Sequence, residues 1–380
     1  MSIAKSSRPQ GRTGFFWHER CFWHDPGAIG VFSSPGEFLQ PQPASESPES
    51  KRRLKNLLEV SGLIDELEVE KPAPASREDL EHFHTSAYLD ALTAGEQAGG
   101  GDAGDCAPFR PGSVAAAYQS AGLAMAAVEA VACGRVNNAY ALCRPPGHHA
   151  EADRGRGFCL LGNIPVAVKR ARAMGQVGRV AILDWDVHHG NGQQDAFYDD
   201  PEVFTVSIHQ AGNFPLDSGF IEERGRGAGQ GANLNLPMPP GAGIGAYRYA
   251  FEQLIVPALE AFAPEMIVIA CGYDACAKDP LGKMLLNSSA FAEMTSHIKT
   301  LAGRVCEGRL VMIHEGGYSE GYVPLCGHAV IATLSGSEVH VPDPQDDEIA
   351  AWAYQDLQPH QRELIDGWQT TIFSIAGPRS

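Results

Sequence analysis

From about residue 139 onward, short apolar runs rich in β-branched residues alternate with longer segments that have helical periodicity. The apolar runs predict strands at residues 139–143, 180–184, 203–209, 266–271 and 310–314. Most of these runs are apolar on both faces, as expected of strands buried in a parallel sheet. Alternation of this kind predicts an α/β fold in which helices cover both faces of a mostly parallel sheet.

The rest of the chain is organised around that pattern. Helices are predicted at residues 50–61, 77–94, 113–133, 163–174, 246–262 and 288–305, and a further strand at 13–17. Residues 99–110 and 215–245 are rich in glycine or proline, so both predict loops, the second a long surface excursion. The tail after Val341 is predicted to be helical to about residue 372. We expect residues 1–380 to form a single domain, with a core at about 13–340 and a helical tail at 341–380.

Charge and composition argue against several classes of protein, although a local basic patch is not excluded. With 46 acidic and 29 basic residues the formal charge is -17, so the basic face that nucleic-acid binding requires is not expected. No apolar run reaches the roughly 18 residues of a membrane-spanning helix, and the N-terminus lacks the apolar core of a secretory signal. Nine cysteines without a CxxC pair favour free thiols in a reducing compartment. The sequence predicts a cytoplasmic protein that binds neither nucleic acid nor membrane.

The strongest motif is LDWDVHHGNG at residues 183–192, which directly follows an apolar strand. Ligand sites in open α/β sheets form at the carboxyl ends of strands. Alternation along an extended backbone places Asp184, Asp186 and His188 on one side. Two carboxylates and one imidazole suit a divalent metal. The alternative is a turn-forming cluster, although so dense a polar run is unusual directly after a buried strand.

Three more polar clusters follow predicted strands: RPPGHHA at 144–150, CGYDA at 271–275 with DPL at 279–281, and HEGGY at 314–318. Each alone has an ordinary explanation, as a surface histidine pair, a turn-forming aspartate or a core-packed tyrosine. Together with the first motif, however, they would converge on one rim of a parallel sheet. The combination predicts a metal-dependent hydrolase with an acid/base pair and a hydrogen-bond donor for developing negative charge.

These motifs and GFC at residues 157–159 occur in the order found in the zinc-dependent histone deacetylases. Over residues 13–340 the chain most resembles the class II branch and its bacterial relatives, the histone deacetylase-like amidohydrolases and acetylpolyamine amidohydrolases. The resemblance implies the arginase–deacetylase fold, a central eight-stranded parallel sheet flanked by helices on both faces. It also implies hydrolysis of an N-acyl amide such as N-acetyl-lysine, releasing an acetyl or other short acyl group.

The resemblance implies that Asp186, His188 and Asp274 bind one Zn²⁺ per chain. An oxygen-rich site of this kind also suits Fe²⁺ or Co²⁺. The family binds structural K⁺ as well, and the match points to one such site. Its candidate ligands are Asp184, Asp186 and Ser207, with the main-chain carbonyls of His188 and Ile208.

The same match implies the acid/base groups. Asp184 is then the partner of His148 rather than a metal ligand. Asn191 lies behind His149, where class I enzymes have Asp; because Asn adds no charge, we expect the pKa of His149 to stay near 6.5. His149 is the expected proton acceptor and donor, His148 is expected to act by its charge, and Tyr318 to donate a hydrogen bond to the substrate carbonyl.

The channel to these groups is also implied by the resemblance. Phe158 and Phe214 are expected to enclose the acyl-lysine methylenes, with Leu281 on the wall. The polyamine-selective eukaryotic relative carries a carboxylate at the Leu281 position, so Leu281 disfavours a polyamine substrate without excluding it. Asp105 matches a rim aspartate that holds the substrate backbone, with Asp102 as an alternative alignment.

Two arginines, Arg154 and Arg156, precede the GFC motif where the relatives often carry small or apolar residues. At the entrance of a site they would favour anionic or neutral substrates over cationic ones; solvated surface arginines are an equal alternative.

Three functions remain open: an amidohydrolase of acyl-lysine or small amides, an acetylpolyamine deacetylase, and a catalytically silent acyl-binding scaffold. The complete set of metal, imidazole and phenol groups argues against the scaffold. The loops near the mouth and the tail after Val341 are candidate surfaces for a homo-oligomer.

Overall fold

In the computed structural model, which describes residues 11–29, 36 and 38–374, eight strands form one sheet. In chain order they are β1 (Thr13–Phe16), β2 (Glu68–Glu70), β3 (Asn138–Ala141), β4 (Val180–Asp184), β5 (Val203–Gln210), β6 (Asn233–Met238), β7 (Met266–Cys271) and β8 (Leu310–His314). Their order across the sheet is β6-β5-β4-β7-β8-β3-β1-β2. Every neighbouring pair is parallel. The predicted α/β fold with an eight-stranded parallel sheet is confirmed.

The strand order positions the site. β4, β7, β8 and β3 are consecutive neighbours in the sheet, and a polar motif follows each of them. Because the strands are parallel, their carboxyl ends lie at one edge. All residues of β4, β7 and β8 are buried, so the apolar side chains of these strands hold the motifs on a rigid base.

Helices flank the sheet. They are α1 (Glu49–Ser61), α2 (Arg77–Leu80), α3 (Ser86–Gln97), α4 (Ser113–Ala132), α5 (Asn163–Ala173), α6 (Asn191–Phe197), α7 (Ile244–Ala250), α8 (Val256–Phe262), α9 (Ser288–Val305), α10 (Val323–Ser335), α11 (Asp346–Ala350) and α12 (Pro359–Ser374). A π-helical segment, Phe251–Ile255, joins α7 to α8. The single helix predicted at 77–94 is two helices, because the chain turns at residues 81–85 and Thr85 caps α3 by accepting a hydrogen bond from Tyr88 N.

Helix α4 is long and apolar enough to cross a membrane by length and composition, but 78% of its apolar window is buried inside the protein. It packs against α5 and the sheet. At Gly122 a Cβ would lie 2.5 Å from the carbonyl oxygen of Ala73, so only glycine permits this close approach. The apolar composition of α4 is that of a core helix.

The expectation of a surface excursion over residues 215–245 is wrong for Asn233–Met238, which forms the edge strand β6. Leu234 and Leu236 are buried, and the amides of Asn233 and Asn235 both donate to Gln194 Oε1 at 2.8 Å. Because asparagine is depleted in strands, Asn233 and Asn235 hide the alternating apolar pattern of β6 in the sequence. The edge strand β2, with the sequence EVE, was also not predicted; its charged side chains are typical of a protected sheet edge.

Candidate active site

Asp186, His188 and Asp274 form a compact cluster of potential metal ligands at the carboxyl ends of β4 and β7. One ligand atom from each lies within 4.8 Å of the others, and all three residues are buried. His188 Nδ1 is 3.1 Å from Asp186 Oδ1 and 3.0 Å from Asp274 Oδ2. Two carboxylates and one imidazole that converge in this way are a donor set suited to a divalent cation.

The surrounding backbone holds the two carboxylates in place. Gly316 N donates to Asp186 Oδ2 at 2.8 Å, and Val187 N donates to Asp274 Oδ1 at 2.7 Å. A Cβ on Gly316 would lie 2.3 Å from Asp274 Oδ2 and 2.5 Å from Asp186 Oδ2. Glycine at position 316 therefore leaves room for two carboxylates that face the same point.

The electrostatics of this cluster also fit a cation. Burial and the negative charge of Asp186 raise the pKa of Asp274 to about 8. Burial opposes ionisation of Asp186 as well, but His148 and His188 outweigh it and lower the pKa of that carboxyl below its ordinary range. A divalent cation would remove the conflict between two buried carboxylates, so the residues fit the metal that the resemblance implies.

His148 lies beside Asp184, as the resemblance implies. Its Nδ1 is 3.0 Å from Asp184 Oδ2, and its Nε2 is 3.8 Å from Asp186 Oδ1. Burial lowers the pKa of His148, but the charges of Asp186 and Asp184 outweigh burial and raise it to about 10. His148 is therefore charged at neutral pH, in the direction that the sequence predicts.

His149 lies beside Asn191. Its Nδ1 is 2.8 Å from Asn191 Oδ1, and its ring centroid is 3.9 Å from that of His148 and 5.9 Å from that of His188. Burial and the charges of His148 and His188 hold the pKa of His149 well below 6.5. The expectation of a pKa near 6.5 is therefore too high, because it considered only Asn191 and neither burial nor the two neighbouring imidazoles.

Tyr318 is positioned by the Gly317–Tyr318 peptide group, which is held at both its N–H and its carbonyl oxygen. Tyr318 N donates to Asp279 Oδ2 at 2.7 Å, while Ser50 Oγ and Lys51 Nζ donate to the carbonyl oxygen of Gly317 at 3.0 and 3.4 Å. Gly317 has φ +125, a conformation that only glycine adopts readily. Burial raises the pKa of the Tyr318 phenol well above 10, so its hydroxyl remains a hydrogen-bond donor.

A cavity of about 420 Å³ leads to these groups, and its lining exposes more apolar than polar surface. It is lined by Cys106, His149, Gly157, Phe158, His188, Gly212, Asn213, Phe214, Leu216, Pro280, Leu281, Lys283 and Tyr318. The structure thus brings together Phe158, Phe214 and Leu281 with the imidazoles and the phenol. An apolar channel with polar groups at its base suits the alkyl stem of an acylated amine.

Local backbone geometry places the two channel phenylalanines. Phe158 has φ +67, and its N–H donates to the carbonyl oxygen of Cys106 at 2.8 Å, which holds this uncommon conformation. A Cβ on Gly157 would lie 2.4 Å from His149 Cδ2 and 2.7 Å from Phe214 Cε1. Glycine at 157 therefore allows the Phe214 ring to stand edge-on to His149, with centroids 5.0 Å apart.

Asp105 lies near the channel mouth but is not among the residues that line the cavity. Its side chain is 42% exposed, and its Oδ2 accepts a hydrogen bond from Arg156 Nε at 3.0 Å. The alternative residue, Asp102, accepts from Gly104 N and Ala107 N and so stabilises its own loop.

The candidate potassium ligands lie around the strand pair β4–β5. Asp184 and Ser207 are direct partners in the register of the two strands, and Ile208 follows Ser207. Asp184 Oδ1 accepts a hydrogen bond from Asp186 N at 2.9 Å, and Ser207 Oγ is 2.9 Å from His209 Nδ1. These contacts leave the K⁺ site as a prediction.

Sequence reasoning missed the roles of two buried ionisable groups, Glu315 and Lys51. Glu315 Oε2 accepts hydrogen bonds from Gly147 N at 2.6 Å and His148 N at 3.1 Å, so it fixes the turn that carries both histidines. Burial raises the pKa of Glu315 to about 7. Lys51 is fully buried, and its Nζ is 5.6 Å from the centroid of the Tyr318 ring. A signal for Lys51 was available, because it shares the buried face of α1 with Leu54 and Leu58 at helical spacing.

Comparison with known proteins agrees with this geometry. The model of the histone deacetylase domain matches residues 44–334. A histone deacetylase-like amidohydrolase of Pseudomonas aeruginosa is 48% identical over 361 residues, which cover 93% of this chain and 95% of that protein. A probable deacetylase of Archaeoglobus fulgidus is 36% identical over 309 residues, 80% of this chain and 85% of that protein.

A solved structure gives the same relationship. The crystal structure of the HDA15 HD domain matches with a TM-score of 0.83 and 28% sequence identity, covering 96% of both chains. The domain match and the 48% identical relative agree with the motif order and with the eight-stranded sheet. The chain therefore belongs to the histone deacetylase family of amide-bond hydrolases, in the class II-like group of the bacterial histone deacetylase-like amidohydrolases.

Proposed function

We propose that the protein removes an acetyl or other short acyl group from an amine such as N-acetyl-lysine, with one Zn²⁺ held by Asp186, His188 and Asp274. The observation that carries this proposal is the convergence of these three buried donors at the base of an apolar channel, beside two imidazoles and a phenol. When bound, Zn²⁺ polarises the substrate carbonyl and lowers the pKa of water.

The residues of the chain supply the remaining chemistry. His149, neutral because its pKa is well below 6.5, accepts a proton from the attacking water at its Nε2, since its Nδ1 faces Asn191. It then returns that proton to the leaving amine. His148, charged and paired with Asp184, stabilises the negative charge that develops on the substrate. Tyr318 donates a hydrogen bond from its hydroxyl to the substrate carbonyl oxygen, where that charge develops.

An assay with a fluorogenic acetyl-lysine substrate tests this proposal. We expect turnover that a chelator abolishes and that added Zn²⁺ restores. No turnover in the metal-loaded protein would favour the silent acyl-binding scaffold. A second comparison, acetyl-lysine peptide against acetylspermidine, separates the protein-type substrate from the polyamine alternative.

The proposal extends to features that need their own measurements. It includes a structural K⁺ held around Asp184 and Ser207, a catalytic domain that comprises the whole chain, and a cytoplasmic location. It also includes a homo-oligomer formed through the mouth loops or the tail after Val341, which sedimentation analysis would test.

Replacing Tyr318 with Phe is expected to lower kcat about a hundredfold, because one hydrogen-bond donor to the developing oxyanion is lost. The metal content and the melting temperature should be unchanged, since the hydroxyl is not a metal ligand and the ring remains in place. Steady-state kinetics and metal analysis of both proteins check this. Undiminished turnover would remove Tyr318 from the mechanism.

Replacing Asn191 with Asp is expected to shift the acidic limb of the kcat/KM profile upward by about one pH unit. A carboxylate beside His149 favours its charged form and raises its pKa, so the base stays protonated to a higher pH. Activity on the acidic side of the profile should therefore fall relative to activity at pH 8. An acidic limb that stays in place would mean that His149 is not the titrating base.

A further inference from the structure

We infer that Arg156 is a specificity-determining residue. By pairing with the carboxylates at the channel mouth, it prevents them from binding a free ammonium group on the substrate. This inference rests on the proposed function, since it concerns which acylated amines reach the site. It selects against substrates such as monoacetylated diamines, whose free ammonium would lie near the mouth when the acyl group is at the base.

Arg156 is held by three carboxylates from three separate segments. Its Nε donates to Asp105 Oδ2 at 3.0 Å, one terminal nitrogen donates to Asp217 Oδ1 at 2.8 Å, and the other to Glu151 Oε1 at 3.3 Å. Its side chain is only 9% exposed, whereas those of Asp105 and Asp217 are 42% and 61% exposed. The sequence left open whether this arginine is a solvated surface residue, and the structure shows that it is not.

The same side chain contacts the channel itself. The guanidinium carbon of Arg156 lies 5.5 Å from the centroid of the Phe214 ring, which in turn stands edge-on to His149. The backbone of Arg156 pairs with Asp105 in a short parallel bridge, and Gly157 N donates to the carbonyl oxygen of Asp105 at 2.9 Å. Arg156 therefore connects the rim carboxylates to the channel wall.

Two further cationic side chains, Arg154 and Lys283, lie near the mouth although the chain carries -17 overall. Arg154 forms a two-pronged ion pair with Glu151, with contacts of 2.8 and 3.0 Å. The exposed Lys283 lines the cavity and forms no ion pair among the described residues. Among the described residues, Glu151, Asp105 and Asp217 are thus each paired with at least one arginine, and an ammonium at the mouth would compete with a guanidinium for them.

The test compares two substrates in wild-type and Arg156→Met protein. One is N- and C-terminally blocked N-acetyl-lysine, which is neutral; the other is monoacetylputrescine, which carries one ammonium. Met keeps an unbranched side chain of similar length, so contact with Phe214 is retained while Asp105 and Asp217 are released. We expect kcat/KM for acetylputrescine, relative to the blocked lysine, to rise about tenfold at low salt and less at high salt.

Arg154→Met is the matched control, because it makes the same change in net charge two residues away. Arg154 is 46% exposed, and its ion-pair partner among the described residues is Glu151, so we expect its substitution to change kcat/KM for acetylputrescine, relative to the blocked lysine, less than twofold. An unchanged ratio in Arg156→Met, or an equal rise in both variants, would overturn the inference. The second of these results would assign the effect to net charge rather than to the three-carboxylate contact.

Asp217→Asn provides an independent measurement should Arg156→Met not fold. It removes one carboxylate and leaves Arg156 with excess positive charge. We therefore expect kcat/KM for acetylputrescine, relative to the blocked lysine, to fall about threefold. A ratio that is unchanged or rises would contradict the inference. Wild-type turnover of the blocked lysine tests the proposed function separately, since it is measured in protein whose Arg156 is intact.

Discussion

Asp274→Asn protein is expected to bind no stoichiometric metal and to lose at least about a thousandfold in kcat/KM. The loss follows because a Lewis acid contributes several kcal/mol to amide hydrolysis, and Asn removes one of two anionic ligands. The amide oxygen of Asn can still accept the hydrogen bond that Val187 N gives Asp274 Oδ1, so the loop between the ligands should keep its shape.

Thermal unfolding with and without a chelator measures the loss of metal binding without any assay of activity. A metal that binds only the folded state raises the melting temperature, so chelation should lower it in wild-type protein. In Asp274→Asn the melting temperature should not respond to chelator. The variant should not unfold far below the chelated wild type, because a neutral amide suits a position where burial and Asp186 already disfavour the charged carboxylate.

Asp105→Asn is the control for this comparison, since Asp105 is a half-exposed carboxylate at the mouth and not among the converging ligand atoms. It should retain both its metal and its chelator-sensitive melting temperature. Stoichiometric metal in Asp274→Asn, measured after purification without added chelator, would contradict the assignment of Asp274 as a ligand.

The sequence was informative where the signal is local. LDWDVHHGNG follows a continuous apolar strand, so both the strand and the position of its polar residues are predictable from adjacent residues. That Asp274 faces this motif depends on β7 lying next to β4, which local patterns do not determine. The resemblance to a family supplied that contact, whereas strand periodicity predicted only a parallel sheet.

Strand β6 and the contacts of Arg156 were not predicted, and both failures have physical causes. β6 was hidden because Asn233 and Asn235 interrupt its apolar pattern, and their burial depends on Gln194, some 40 residues earlier in the chain. The contacts of Arg156 were likewise unpredictable, since its partners Asp105 and Asp217 lie more than 50 residues away on either side. A charged residue whose partners are remote in sequence gives no local sign of burial.

The two adjacent histidines are expected to differ sharply in their effect on turnover. His149→Ala should lower kcat about a thousandfold, within the range typical for loss of a general acid/base group. His148→Ala should lower it only about tenfold, because His148 contributes charge rather than proton transfer. Both variants should retain metal, since neither imidazole belongs to the Asp186, His188 and Asp274 cluster.

The pH dependence of His148→Ala distinguishes more strongly which of the two histidines transfers the proton. The charge of His148 is one of the causes that hold the pKa of His149 below 6.5, so its removal should let that pKa rise. His149 would then be protonated over a wider range of pH, and the acidic limb of the kcat/KM profile should move to higher pH. Should His148→Ala instead cost as much as His149→Ala and leave the limb unchanged, the proton-transfer role would belong to His148. Asp184, 3.0 Å from His148 Nδ1, would then stabilise the charge that His148 gains during proton transfer.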